Sequence, residues 1–227
     1  MRIGDVELDT PKIVGVINSI DEVETAEKTG ADLLEIRMDL LDENEEVIRF
    51  FEDVTDATSL PIIATDRPKI EGGSFVGSEN QRIPMLMSVM EYADAVDIEL
   101  RSAEKDVVID EARKRKMVAI VSYHDFAGTP PKEKMLRILK EARQIGDIPK
   151  LAVMANSLSD VISLLEVTLQ AKKPFCTIAM GSLGKHSRVI APLYGSALTY
   201  GHVVGEGKAP GQLSVGELKN VLDTLVR

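Results

Sequence analysis

Lys150-Leu151-Ala152-Val153-Met154-Ala155 is a short apolar run that a lysine opens. A run of this length, apolar at both alternating sets of positions, reads as a strand covered on two faces, the kind a parallel sheet contains. Helical spacing flanks it over 132–145 and 158–171. The alternation continues outward in both directions. On the N-terminal side, strands over 12–18, 32–40, 61–67, 95–100 and 117–126 alternate with helices over 21–29, 43–57, 82–93 and 103–116. On the C-terminal side, strands over 175–180 and 198–203 alternate with helices over 187–194 and 215–226. With the strand over 148–155 this makes about eight βα units, which predicts an α/β chain folded as a (β/α)8 TIM barrel, a single domain over 1–227. Little chain precedes the first strand, so an N-terminal plug for the barrel bottom is expected to be minimal. A doubly wound open sheet is the alternative. It usually carries a Gly-rich turn after its first strand, and Val16-Ile17-Asn18-Ser19-Ile20-Asp21 has no glycine.

Composition narrows the function classes. The chain has 227 residues, 44% of them hydrophobic, enough for a sizeable core. Its 27 basic and 37 acidic residues give a net charge of -10, which argues against nucleic acid and anionic lipid as partners. An anionic ligand must then be held by a local basic cluster. The one cysteine, Cys176, lies in an apolar run and reads as a small core residue. No apolar stretch approaches a membrane span, and Met1-Arg2-Ile3-Gly4-Asp5 lacks the apolar core of a secretory signal. A cytoplasmic location is expected.

In a barrel, reactive groups sit at the C-terminal ends of strands and in the loops after them. Alternation places Lys150 with Ala152 and Met154 on one face. A lone strand-end lysine snorkels to water, but a desolvated one is a usable amine nucleophile. Lys150 has company. Ser122-Tyr123-His124-Asp125-Phe126 ends the preceding strand, and His124 suits a general acid or base poised near pH 7. Asp125 faces the other way, so it is not assigned as the histidine's partner. Glu35 and Arg37, two apart in an apolar strand, share the barrel interior, either as a structural ion pair or as a reader of hydroxyl groups. Arg67 ends the third strand, and Glu71-Gly72-Gly73 follows; the glycines allow a sharp turn that returns Glu71 to the barrel mouth. In the segment 180–188, Ser187 reads as a helix N-cap and Arg188 as the first-turn cation of an anion site, for a phosphate or a carboxylate. The polar loop 205–212 could act as a lid. Zinc-type clusters, a Walker loop and a Gly-x-Ser-x-Gly elbow are missing from the sequence.

Taken together, Glu35-Ile36-Arg37, Arg67 with Glu71-Gly72-Gly73, Ser122 to Phe126, Lys150 to Met154, Met180 to Arg188, Gly195-Ser196-Ala197 and Ala209-Pro210-Gly211-Gln212 resemble the type I 3-dehydroquinate dehydratases, the Schiff-base enzymes of the shikimate pathway. The resemblance spans nearly the whole chain. It implies dehydration of 3-dehydroquinate to 3-dehydroshikimate, the third step toward chorismate and the aromatic amino acids. It implies Lys150 as the imine-forming amine and His124 as the proton shuttle of a syn elimination, with Glu71 orienting His124. Arg188 and Gln212 would hold the substrate carboxylate, Glu35, Arg37 and Arg67 would contact ring hydroxyls, and Met180 and Phe126 would supply apolar walls. No metal or organic cofactor is expected, and a homodimer is. Burial and the cations Arg37, Arg67 and Arg188 are expected to keep the Lys150 amine uncharged. Two positions depart from the family pattern: Lys208, where a serine that contacts substrate is frequent, and Tyr200, where phenylalanine is frequent.

Two other functions fit parts of the pattern. Another class I imine-forming barrel lyase or aldolase would use the 181–184 loop as a phosphate nest, but does not explain His124, Glu71 and the Ala-Pro-Gly-Gln loop occurring together. A non-catalytic acid-binding barrel would leave the lysine and histidine without a purpose.

Overall fold

The computed structural model describes residues 1–41 and 46–225. Eight parallel strands form the central sheet: β3 (Lys12–Ile17), β4 (Leu33–Arg37), β5 (Ile62–Thr65), β6 (Ala95–Glu99), β7 (Val118–Asp125), β8 (Ile148–Met154), β9 (Cys176–Met180) and β10 (Leu198–His202). From β3 to β9 each strand pairs with the next, and β10 pairs back to β3. Helices α1 (Asp21–Thr29), α2 (Val47–Ala57), α3 (Glu79–Ser88), α4 (Lys105–Arg115), α5 (Lys132–Ile145), α6 (Leu158–Gln170), α7 (Ser187–Tyr194) and α8 (Val215–Leu225) follow the strands in turn. This is the TIM barrel.

Strand alternation builds two apolar layers. Ile148, Ala152 and Met154 of β8 pack inside the barrel with Val14, Leu33, Ile63, Ala95, Ile120 and Leu198. Leu151 and Val153 face outward against α5 and α6. Lys150 therefore shares the inner face, as alternation requires. The barrel bottom is closed by a small antiparallel hairpin, β1 (Arg2–Ile3) and β2 (Val6–Glu7), whose Ile3 is fully buried in the inner layer.

Among the described residues β9 and β10 share no ladder, and the seam between them is closed by the Gly195-Ser196-Ala197 turn. Ala197 N–H donates to Phe175 O at 2.7 Å. Ser196 Oγ accepts from Thr177 N at 3.1 Å and donates to Leu198 O at 3.1 Å.

Several boundaries differ from the sequence reading. The strand expected over 32–40 ends at Arg37, where a 3-10 turn, Met38–Leu40, takes over. The helix expected over 82–93 starts earlier, at Glu79, because Ser78 and Gln81 form a capping box, and it ends at Ser88 before a 3-10 turn at Met90–Tyr92. The first residues of the helix expected over 43–57, and the last of that over 215–226, lie outside the described residues.

Candidate active site

A cavity with about 580 Å³ of empty space opens at the C-terminal end of the barrel. All ten candidate residues line it: Glu35, Arg37, Arg67, Glu71, His124, Phe126, Lys150, Met180, Arg188 and Gln212.

Lys150 sits in register with Ser122 of β7 and Cys176 of β9, so its stem rises from mid-barrel toward the mouth. Its Nζ donates to Asp97 Oδ2 at 2.8 Å and to Glu35 Oε1 at 3.3 Å, and lies 3.9 Å from the centroid of the Tyr200 ring. The sequence reading set only cations around the amine. The structure corrects this: two buried carboxylates contact it directly, and Arg37 and Arg67 are themselves neutralised. Arg37 forms a bidentate pair with Asp39 at 2.6 and 2.7 Å, so Glu35 and Arg37 do not pair with each other. Arg67 bonds Asp97 at 2.7 Å and Glu99 at 2.5 Å, and Arg82 holds the other oxygen of Glu99 at 2.8 Å. Burial works against the charge on Asp97, but Arg67 and Lys150 hold its carboxyl well below the usual carboxylate range.

His124 is placed by Glu71. The 3-10 turn Lys69–Glu71 ends at Gly72, which has φ 78°, and a Cβ on Gly73 would stand 1.9 Å from Arg67 O. Only glycine allows this close return, and it brings Glu71 back to the mouth as expected. Glu71 Oε2 accepts from both the backbone N–H and Nδ1 of His124, at 2.9 and 3.0 Å, while Oε1 accepts from Arg101 at 2.7 Å. A carboxylate can only accept here, so Nδ1 carries the proton and Nε2 keeps its lone pair. Burial raises Glu71, but the bonds from His124 and Arg101 more than offset this and hold it below its ordinary range. Burial, then the Arg67 charge, push His124 down from 6.5 to about 4, despite the Glu71 bond. The imidazole is thus a neutral base at ordinary pH, not a group poised near pH 7.

Opposite lies the loop after β10. Arg188 donates to Gly211 O at 2.9 Å, Tyr200 O at 3.2 Å and Pro210 O at 3.2 Å. These are carbonyls only, and burial lowers Arg188 to about 10. Among the described residues no carboxylate pairs with this buried guanidinium, which leaves it able to receive an anion. Gln212 Oε1 accepts from the backbone N–H of Lys208 and Ala209, at 2.7 and 3.2 Å, which folds the loop onto the mouth. Ser187 is not an N-cap. Its Oγ accepts from Ala179 N at 3.0 Å and donates to Ala179 O at 3.2 Å, pinning α7 to β9 so that Arg188 enters the cavity. Met180 is buried, whereas Phe126 lies just beyond β7, exposed, with its ring over Gly72.

The sequence reading gave no role to Asp97, Glu99, Asp39 or Ser122. Asp97 and Glu99 carried a usable signal: two carboxylates at alternate positions of an apolar strand, as with Glu35 and Arg37. Ser122, in the Ser122-to-Phe126 run, donates to Asp97 at 2.6 Å and accepts from Arg67 at 2.7 Å. Alternation over 32–40 puts Asp39 on the face of Glu35 and Arg37, but it sits in the turn after the strand and reaches Arg37 from there. Asp125 behaves as expected, turning away to accept from Ala127 and Gly128.

The chain resembles proteins of known activity over its whole length. A family model described as Type I 3-dehydroquinase matches residues 13–226. The 3-dehydroquinate dehydratase of Methanococcoides burtonii is 44% identical over 99% of both chains. The crystal structure of 3-dehydroquinate dehydratase from Geobacillus kaustophilus superposes with a TM-score of 0.89 at 31% identity, covering 96% of this chain and 92% of the other. The type I enzyme of Clostridium difficile, solved with covalent modified comenic acid, superposes at 0.88 and 31% identity over 99% and 96%. With this barrel, this cavity and these relatives, the chain belongs to the type I 3-dehydroquinase family.

Proposed function

We propose that this chain dehydrates 3-dehydroquinate to 3-dehydroshikimate, the third step of the shikimate pathway, through an imine on Lys150. The observation that carries the reading is a buried lysine amine sharing one cavity with a neutral, carboxylate-oriented imidazole. The family membership supports the same activity. In this scheme the Lys150 ammonium first gives a proton to the carboxylates beside it, the freed amine adds to the C3 ketone, and that proton leaves with the carbinolamine hydroxyl as water, which gives an iminium. Asp97, already at 2.8 Å, pairs with the cationic nitrogen and so favours the electron-withdrawing form. His124 Nε2 takes the proton from C2, and the electron pair flows into the iminium. The imidazolium, stabilised by Glu71, then protonates the C1 hydroxyl, which leaves as water from the same face. Hydrolysis of the product imine frees Lys150. Arg188 and the Gln212 amide receive the substrate carboxylate, Glu35, Arg37 and Arg67 meet ring hydroxyls, and Met180 and Phe126 wall the ring.

The test is turnover of 3-dehydroquinate, followed by the absorbance of the conjugated enone. The wild type turns it over and Lys150→Met does not. Cleavage of a sugar phosphate without dehydroquinate turnover would assign the chain to the class I aldolases instead. We further propose that residues 1–227 act as one unit, as a cytoplasmic homodimer: no helix among the described residues is long and apolar enough to cross a membrane, and α6 leaves Leu158, Ile162 and Leu169 exposed. Sedimentation should then read twice the 24.8 kDa chain mass, and a monomer reading refutes the dimer.

A further inference from the structure

We propose that Lys208 is a second cation for the substrate carboxylate, giving up Glu22 for it when substrate binds; this rests on the dehydratase reading above. Lys208 lines the same cavity as Arg188 and Gln212. The cations there differ in what already neutralises them. Lys150 lies on Asp97 and Glu35, Arg37 on Asp39, and Arg67 on Asp97 and Glu99. Each of these has a carboxylate oxygen within hydrogen-bond length. Lys208 Nζ is 3.7 Å from Glu22 Oε1, beyond that length, and its side chain keeps 23% exposure. Glu22 is held from behind, because its Oε2 accepts from Asn18 N at 2.8 Å, so it does not follow the ammonium.

The anchoring of Lys208 is asymmetric. Its backbone N–H is fixed to Gln212 Oε1 at 2.7 Å, which sets the residue beside the amide assigned to the carboxylate. Its four-carbon stem leaves the ammonium free to swing. Gly205 and Gly211, with φ of 68° and 70°, bracket the loop. An ammonium gains more from a short charge-assisted bond to a carboxylate than from a 3.7 Å contact shared with solvent. Arg188 spends three donor contacts on carbonyls, so a second cation completes the clamp. It also offsets the field of a chain whose net charge is -10.

The experiment is steady-state kinetics of the full chain on 3-dehydroquinate, with competitive inhibition by quinate and by its carboxamide. Lys208→Met should raise KM and the inhibition constant of quinate by about five- to twentyfold, leave kcat within about twofold, and leave carboxamide inhibition unchanged. Lys208→Arg should restore most of the affinity. Glu22→Gln removes the competitor, so its KM should lie at or below wild type. The proposal is overturned if Lys208→Met leaves KM unchanged. It is equally overturned if Lys208→Met and Glu22→Gln raise KM alike, which is the behaviour of a plain loop latch. Failure of the wild type to turn over dehydroquinate would instead refute the dehydratase reading.

Discussion

At the residue scale the proposed chemistry rests on two side chains, Lys150 and His124, and on what surrounds them. His124 is desolvated and faces Arg67, so it stays neutral down to about pH 4. The free-enzyme kcat/KM profile should therefore hold through pH 6.5 and fall only as pH drops toward 4. A profile bending at 6.5 would contradict this. His124→Ala should lose about 10²- to 10⁴-fold in kcat, the usual worth of a positioned acid–base group. The identities of these residues were legible in the sequence, because a lysine opening a buried strand and a histidine ending its neighbour stand out against apolar runs. Their charge states were not. Asp97 and Asp39 reach Lys150 and Arg37 across strands or from a following turn, and a linear pattern gives no cross-strand distance.

At the element scale, strand ends set the site. The C-terminal end of β5 carries Asp66 next to Arg67 and near Asp39. Asp66 is buried and accepts no hydrogen bond at its carboxyl among the described residues. Burial, then the Asp39 charge, raise it from 3.8 to about 7. Between these two values the folded state binds more protons than the unfolded one. The stability this contributes is present in full below 3.8 and is lost as pH rises through about 7. Asp66→Asn should therefore stabilise the protein at pH 8, by roughly 2 kcal/mol, and have little effect at pH 4. Equal effects at both pH values in denaturant titrations would contradict the assignment. Strand and helix types were readable from period, whereas their ends were set by local chemistry. The Ser78–Gln81 capping box moved α3 earlier than its apolar pattern suggested. The turn after Arg37 consumed residues that read as strand.

At the scale of the whole molecule, the barrel order follows from strand count and parallel connections, and both could be counted in the sequence. The closure could not. Seven strand pairs of the barrel are ladders, but β9 and β10 meet through Ser196, the backbone of Ala197 and Cys176 Sγ, which donates to Leu198 O at 3.3 Å. The Gly195-Ser196-Ala197 motif gave no hint of this, since a buried serine and a surface serine look alike in one chain. Ser196→Ala removes the acceptor of Thr177 N–H and leaves Leu198 O with only the Cys176 Sγ donor inside the seam. It should lower unfolding free energy by about 1–3 kcal/mol in urea titrations, and a neutral result would mean the seam is held otherwise. The proposed mechanism requires a covalent bond between Lys150 and the substrate's ketone carbon. Borohydride reduction in the presence of 3-dehydroquinate, followed by peptide mass mapping, reads that bond directly. The expected result is one reduced adduct on the peptide carrying Lys150, retained in His124→Ala and absent in Lys150→Met. Turnover with no adduct, or an adduct on a different lysine, would contradict it.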